Sequence, residues 1–209
     1  MPPNRITVVT VDDHPLLREG IASVLRTLPD VELIGEAANG REALALVLER
    51  CPDITLMDIQ MPVMNGIEAL VAIREARPAA KVIMLSTYSG DVQAMRAIKA
   101  GAASYLLKSM IHKELGAAIR KVHAGQSYIP LEIATALAEH VGMGQLSERE
   151  ITVLKLAAVG NTNKRIGAQL GLSEDTVKGH MKNVIAKLQA QDRTHAVTIA
   201  VRRGIIELP

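Results

Sequence analysis

Through residue 123 the chain alternates between short aliphatic runs and stretches with helical spacing. Ile6–Val11, Val31–Glu36, Asp53–Met57, Lys81–Ser86 and Ser104–Leu107 read as strands, each a brief apolar run bounded by polar or turn residues. Amphipathic helices are predicted between and after them, over residues 15–28, 40–50, 66–76, 91–100 and 111–123. Such βα units imply parallel strands, because parallel neighbours need crossover connections, and so a sheet with helices on both faces. Gly66 stands at the start of the third helix, and Gly101 closes the fourth as a left-handed cap would.

After Gly125 the pattern changes. Ser127-Tyr128-Ile129-Pro130 breaks the alternation, an Ala/Leu-rich helix is predicted over 131–141, and Gly142-Met143-Gly144 reads as a flexible joint. From Leu146 onward only helices are predicted. Ser147-Glu148-Arg149-Glu150 is a capping box opening a helix to 159; Thr162 caps a second to 170, Ser173 a third to 188, and the last spans 193–203. Leu170-Gly171-Leu172 makes a tight turn between the middle two. The expected organisation is a domain over 1–124, a linker with a helix over 125–145, and an all-helical domain over 146–209.

Length and composition agree with two ordinary globular domains, at 209 residues, 48% hydrophobic and 22% charged. No apolar run approaches the roughly 18 residues needed to cross a membrane, and the first apolar stretch is too short for a signal peptide. A cytoplasmic protein with no membrane association is expected. The single cysteine, Cys51, reads as an inert thiol where a helix ends before Pro52.

Net charge becomes informative only when the chain is divided. Residues 1–145 carry 14 Lys/Arg and 16 Asp/Glu, whereas residues 146–209 carry 10 and 6. The basic surplus of the last third suits a phosphate backbone. With no Phe or Trp and only Tyr88, Tyr105 and Tyr128, stacking platforms for unpaired bases are absent, so duplex is the expected nucleic acid.

Candidate chemistry collects at the ends of the predicted strands. Asp12 and Asp13 follow the first strand and Asp58 follows the third, and the carboxyl edge of an open α/β sheet is where ligands bind. Converging carboxylates repel unless a cation or protons intervene, and hard oxygen ligands suit Mg²⁺. Ser86 ends the fourth strand and Lys108 follows the fifth, adding a hydroxyl and an ammonium to the same edge. That set fits phosphoryl transfer to a carboxylate. His14 reads as a first-turn helix residue rather than a metal ligand, since no second histidine stands at ligand spacing. Tyr105 by itself reads equally as a partly buried aromatic on an edge strand.

These residues carry a resemblance. Val11-Asp12-Asp13-His14-Pro15, Met57-Asp58-Ile59-Gln60-Met61-Pro62 leading to Asn65-Gly66, Leu85-Ser86, Lys99-Ala100-Gly101-Ala102 and Tyr105-Leu106-Leu107-Lys108 make residues 5–123 similar to a response-regulator receiver domain of flavodoxin-like (βα)5 fold. The resemblance implies that Asp58 accepts a phosphoryl group from a sensor histidine kinase. It also implies Mg²⁺ held by Asp13, Asp58 and the backbone carbonyl of Gln60 with Asp12 assisting, and Lys108 neutralising the phosphoryl oxygens. Ser86 would move to the acyl phosphate while Tyr105 turns inward behind it, and Gln60 and Tyr88 would tune attack by water. Ser86 stands where many receivers have threonine.

In the last third, Val177, Met181, Val184, Ile185 and Leu188 share one helical face, and Lys178, Gly179, Lys182, Asn183 and Ala186 lie opposite. With the preceding capped helix and tight turn this is a helix-turn-helix able to enter a major groove. Leu146-Ser147-Glu148-Arg149-Glu150, Asn163-Lys164-Arg165-Ile166-Gly167, Leu172 through His180 and Asp192 through Val197 make residues 146–206 resemble the LuxR-type helix-turn-helix of NarL/FixJ response regulators. The resemblance implies that Lys178, Gly179 and Lys182 face bases, with Asn183 on the same side, and that Thr176, Asn163 and Lys164 reach the DNA backbone. It also implies a homodimer through the last helix, with Val197, Ala200 and Val201 as its face, half-sites about one helical turn apart, and contact with RNA polymerase at promoters.

The combined expectation is a transcription regulator whose phosphorylation controls dimerisation and promoter binding. One alternative is a DNA-binding regulator that works without phosphorylation. The other is an aspartyl-phosphate phosphohydrolase, which would place an Asp-x-Asp nucleophile pattern after the first strand; that pattern is absent.

Overall fold

The computed structural model describes residues 5–87, 91–139 and 146–206. The predicted joint at 142–144 and Tyr88 lie outside the described residues. The chain divides into two compact units, residues 1–87 with 94–135 and residues 88–93 with 136–209.

The first unit is built on five parallel strands in the order β2-β1-β3-β4-β5: β1 Ile6–Val11, β2 Val31–Ala37, β3 Ile54–Asp58, β4 Val82–Ser86 and β5 Ser104–Leu107. Every residue of β3, β4 and β5 is buried, as continuous aliphatic runs covered on both faces must be. The helices are α1 Pro15–Arg26, α2 Gly40–Arg50, α3 Gly66–Ala76, α4 Asp91–Lys99 and α5 Ile111–His123, the last entered through a short 3₁₀ turn at Lys108–Met110. Helices α1 and α5 pack together and α2 and α3 pack together. Ile21 and Leu25 of α1 meet Leu115 and Ile119 of α5 over Val8 and Leu56 of the sheet. The sequence-predicted strands and helices appear within a few residues of their expected ends, as does the parallel sheet.

Local chemistry explains the boundaries. The Asn39 and Asn65 side chains accept from the first free N–H groups of α2 and α3, and Glu68 completes a capping box on α3. Gly101 takes a left-handed conformation (φ +93) after α4, and Cys51 does the same (φ +49) after α2. Cys51 is exposed and free. After α5, Tyr128 pairs with Ser104 as an isolated parallel bridge beside β5, and its hydroxyl donates to Glu114. Helix α6 follows at Leu131–Glu139.

In the second unit α7 Glu148–Ala158, α8 Asn163–Leu170, α9 Glu174–Lys187 and α10 Arg193–Arg202 enclose a small core. Ser147, Thr162, Ser173 and Asp192 each cap the helix that follows, as the capping signals predict for the first three. Gly171 ends α8 in the left-handed region (φ +66), which turns the chain sharply into α9. Val177, Met181 and Val184 of α9, and Leu188 just after it, are buried against Leu154 and Ile166, with Ile185 partly buried beside them. No described helix is long and apolar enough to cross a membrane.

Candidate functional site

Strand register brings the acidic residues together. Val11 lies beside Met57, Asp58 beside Leu85 and Ser86 beside Leu107, so the chain leaves β1, β3, β4 and β5 at one edge with Asp12, Asp58, Ser86 and Lys108 adjacent. Lys108 Nζ stands 2.8 Å from Asp12 Oδ2 and 2.9 Å from Asp58 Oδ2. Asp12 and Asp58 are almost wholly buried, and the acids crowd one lysine. Burial, opposed by the Lys108 ammonium and aided by the charge of Asp12, pushes the Asp58 carboxyl up to about 6. Lys108 is held above its ordinary range by the two carboxylates, against the effect of its own burial.

The pocket fits a hard divalent cation. One ligand atom each from Asp12, Asp13, His14 and Asp58 lies within 4.8 Å of the others. Asp12 Oδ2 and Asp13 Oδ1 are buried and receive no well-formed hydrogen bond, although Lys108 Nζ and His14 Nδ1 stand 2.8 Å from them. Carboxylate oxygens with spare acceptor capacity at one point are what an oxygen-coordinated ion requires. Gln60 follows two residues beyond Asp58 in the same loop, half-buried.

Two neighbours were not assigned from sequence. His14 stands before α1 as its N-cap position instead of within its first turn, and its ring lies against Asp13. The Arg18 guanidinium donates to the Asp12 carbonyl and so braces the first loop. Neither contact has a sequence signature, because both depend on how α1 leaves the sheet.

The loop after β3 is closely constrained. A β-carbon on Gly66 would collide with the Asp58 carbonyl oxygen, so only glycine lets α3 start against the phosphoacceptor candidate. Val63 adopts φ +70 while 72% exposed, a conformation unfavourable for a β-branched residue.

Tyr105 corrects an expectation. Its side chain is fully buried, where the edge-strand position suggested a partly buried aromatic. Burial raises the phenol to about 12, against the hydrogen bond it makes with Ser86. That hydroxyl partner lets a phenol enter the core without an unmet hydrogen bond.

In the second unit the exposed face of α9 carries Lys178, Gly179, Lys182, Asn183 and Ala186, with Thr176 near its start and Lys164 exposed on α8. Lys178 is tied along the helix to Asp175 (3.3 Å) and Glu174 (3.8 Å). The Asn163 side chain accepts a 3.0 Å hydrogen bond from Arg193, which also donates to the Asn161 carbonyl and so fixes the start of α8. Beneath α9, Glu150 of α7 accepts from Lys187 at 2.7 Å and from the Ser147 N–H. The contacts made by Arg193 and by Lys187 escaped the sequence, since each joins residues 30 or more positions apart.

One residue of the predicted dimer face is corrected. Ala200 is fully buried in the unit's own core with Ala196, leaving it no surface to offer, whereas Val197 and Val201 are half-buried. The cause is helical spacing: positions 196 and 200 are one turn apart and turn inward to cover α7 and α9.

Comparison with known proteins decides the family. The response regulator receiver domain matches residues 8–120, and the bacterial regulatory proteins of the luxR family match residues 144–200. The response regulator VraR of Staphylococcus aureus is 38% identical over 207 residues, 97% of this chain and 99% of its own. The chain belongs to the response regulators. Its receiver followed by a LuxR-type domain is the arrangement of the NarL/FixJ subfamily. The structure of the response regulator ChrA, from a heme-sensing two-component system, is 33% identical with TM-score 0.60 and covers 97% of this regulator and 100% of that chain. The response regulator RcsB in complex with DNA shares its fold at TM-score 0.71 and 21% identity, over 95% of this chain and 99% of that one.

Proposed function

We propose that this response regulator accepts a phosphoryl group on Asp58 from a phosphohistidine of a sensor kinase, and that the modification promotes dimerisation and binding to promoter duplex. The convergence of Asp12, Asp13, Asp58 and Lys108 at one sheet edge carries this reading. In the transfer an Asp58 oxygen bonds to phosphorus as the phosphorus–nitrogen bond breaks, and the electron pair leaves with the kinase histidine. Lys108 lies within reach of the added oxygens and offsets their charge. Mg²⁺, held by Asp12, Asp13, Asp58 and the Gln60 carbonyl, would supply electrostatic stabilisation of the phosphoryl oxygens.

Ser86 ends β4 at the acceptor edge and is hydrogen-bonded to Tyr105. A new phosphoryl acceptor on Asp58 competes for its hydroxyl, which at present bonds Tyr105. Release of that bond is the proposed first step of the switch. Downstream, Lys178, Gly179, Lys182 and Asn183 meet the bases, Thr176, Asn163 and Lys164 meet phosphates, and α10 pairs through Val197 and Val201. The receiver is assigned to 1–124, the linker to 125–145 and the DNA-binding domain to 146–209, in a cytoplasmic homodimer that meets RNA polymerase at promoters. Such a protein is a regulator, with no turnover beyond its own phosphoryl transfer and dephosphorylation.

The test is binding of the full chain to randomised duplex with and without acetyl phosphate and Mg²⁺. Tighter binding by the phosphorylated wild type, absent in Asp58→Asn, is the expected result. Equal affinity in all states would refute phosphorylation control. A second reading, DNA binding without phosphorylation, would suit a Tyr105 held inward in every state. Normal promoter control by Asp58→Ala protein would establish it.

A further inference from the structure

Three glycines in the described helices, Gly40, Gly66 and Gly167, are required by the fold. A β-carbon on Gly167 of α8 would stand 2.6 Å from the Leu172 carbonyl, and Gly66 has been described above. Gly179, in the middle of α9, is different. A β-carbon there would meet nothing within 4 Å, the residue is exposed, and it is not among the glycines with left-handed backbone. Glycine inside a helix is destabilising relative to alanine, so this chain's own folding disfavours the residue it carries. Gly20 of α1 is open in the same way, but only Gly179 stands at the centre of a face with cationic and amide neighbours.

That face has a particular profile. Positions 175, 179, 182, 183 and 186 fall along one side of the helix, with no side chain at 179 and only a methyl at Ala186. Lys178 and Lys182 flank the gap, and Lys178 is drawn toward Glu174 and Asp175 at the helix start. A helix so shaped approaches a groove floor more closely at 179 than elsewhere. Among the groups on a major-groove floor, the thymine 5-methyl projects and takes no hydrogen bond. It is therefore the group that a recess floored by the bare Cα of Gly179 can receive in apolar contact, where a base lacking the methyl would leave the recess unfilled.

We propose that Gly179 is a specificity-determining position of α9, its missing side chain seating a thymine methyl that a β-carbon would displace. The proposal rests on the duplex-binding function argued above. An A·T pair is thereby favoured at one position of each half-site, read by fit instead of by a polar side chain.

The experiment uses the full chain. Wild type and Gly179→Ala are each put through selection from randomised duplex, and their affinities for the best wild-type duplex are measured together with their thermal unfolding. The alanine protein is expected to unfold about 4 °C higher in the second unit, yet to bind the wild-type duplex roughly tenfold more weakly. Replacing one particular thymine by uracil, which deletes only the methyl, should restore the alanine protein to within about twofold of wild type. Unchanged affinity and selection by Gly179→Ala overturns the proposal. So does a loss that no uracil position relieves, which would mean approach to the sugar-phosphate backbone. If the wild-type chain selects no duplex in any phosphorylation state, the DNA-binding function itself fails, a result distinct from either.

Discussion

Two buried carboxylates, one in each unit, stand beside a lysine at almost the same distance and titrate in opposite directions. Asp58 is 2% exposed with Lys108 at 2.9 Å, and Glu150 is 3% exposed with Lys187 at 2.7 Å. Burial is the largest influence on each and raises both. At Glu150 it is outweighed by Lys187 and by hydrogen bonds from the Ser147 backbone and hydroxyl, which hold the carboxyl below its ordinary range. At Asp58 the lysine is shared with Asp12, whose own charge opposes ionisation, and the carboxyl rises to about 6. A carboxylate with its own cation and N–H donors is a brace. One that must share them is held ready for a ligand.

The most complete expected effect separates the two by chemistry. Asp58→Asn protein should take up no phosphoryl group from acetyl phosphate, while Glu150→Gln protein takes up as much as wild type, as intact mass would record. Phosphoryl uptake by Asp58→Asn would move the acceptor elsewhere.

Removing the lysines sharpens the contrast in stability. Lys187→Met leaves Glu150 charged, buried and unpaired, and should destabilise the second unit by about 2 kcal/mol at neutral pH, below the full cost of breaking a buried pair because Lys187 is partly exposed. Lys108→Met should destabilise the first unit less, since the Asp58 carboxyl, already raised to about 6, can take up a proton once the lysine is gone. Equal losses in urea unfolding would abolish the distinction.

The pH dependences have opposite signs. Asp58 has a folded pKa above its unfolded value, so its contribution is fully present below about 4 and is lost as pH rises through about 6. In EDTA, Asp58→Asn should therefore be more stable than wild type by about 2 kcal/mol above pH 7, an advantage that fades on acidification toward pH 4. Glu150 has a folded pKa below its unfolded value, so its contribution is present above the ordinary carboxyl range and lost as pH falls through the folded value. Glu150→Gln should be less stable than wild type at neutral pH, with the deficit shrinking in acid. Parallel pH profiles for the two variants would contradict the opposed shifts.

The smallest effect concerns the cation. At about tenfold its dissociation constant, Mg²⁺ should stabilise the first unit by about 1.4 kcal/mol and leave the second unchanged. Asp13→Asn should lose that gain, and calorimetry with and without EDTA measures it. Equal stabilisation of wild type and Asp13→Asn would remove Asp13 from the ion's ligands.

Much of this molecule is legible from residue order alone. Aliphatic runs of strand length, helical spacing and Ser/Thr/Asn caps are local, so the strands, most of the helices and the tight turn at Gly171 follow from near neighbours in the chain. Residue types at strand ends also singled out Asp12, Asp13, Asp58, Ser86 and Lys108, because a parallel sheet delivers such ends to one edge. Four things were decided only by tertiary packing. Tyr105 is buried with its phenol hydrogen-bonded to Ser86 of the neighbouring strand; Ala200 faces inward because α7 and α9 need covering; His14 swings to Asp13 where α1 leaves the sheet; and Glu150 finds Lys187 37 residues away. The physical reason is range. Local spacing sets which face of an element is apolar, but which polar groups share a buried space, and so what their carboxyls and hydroxyls are prepared to do, is fixed only when distant elements meet.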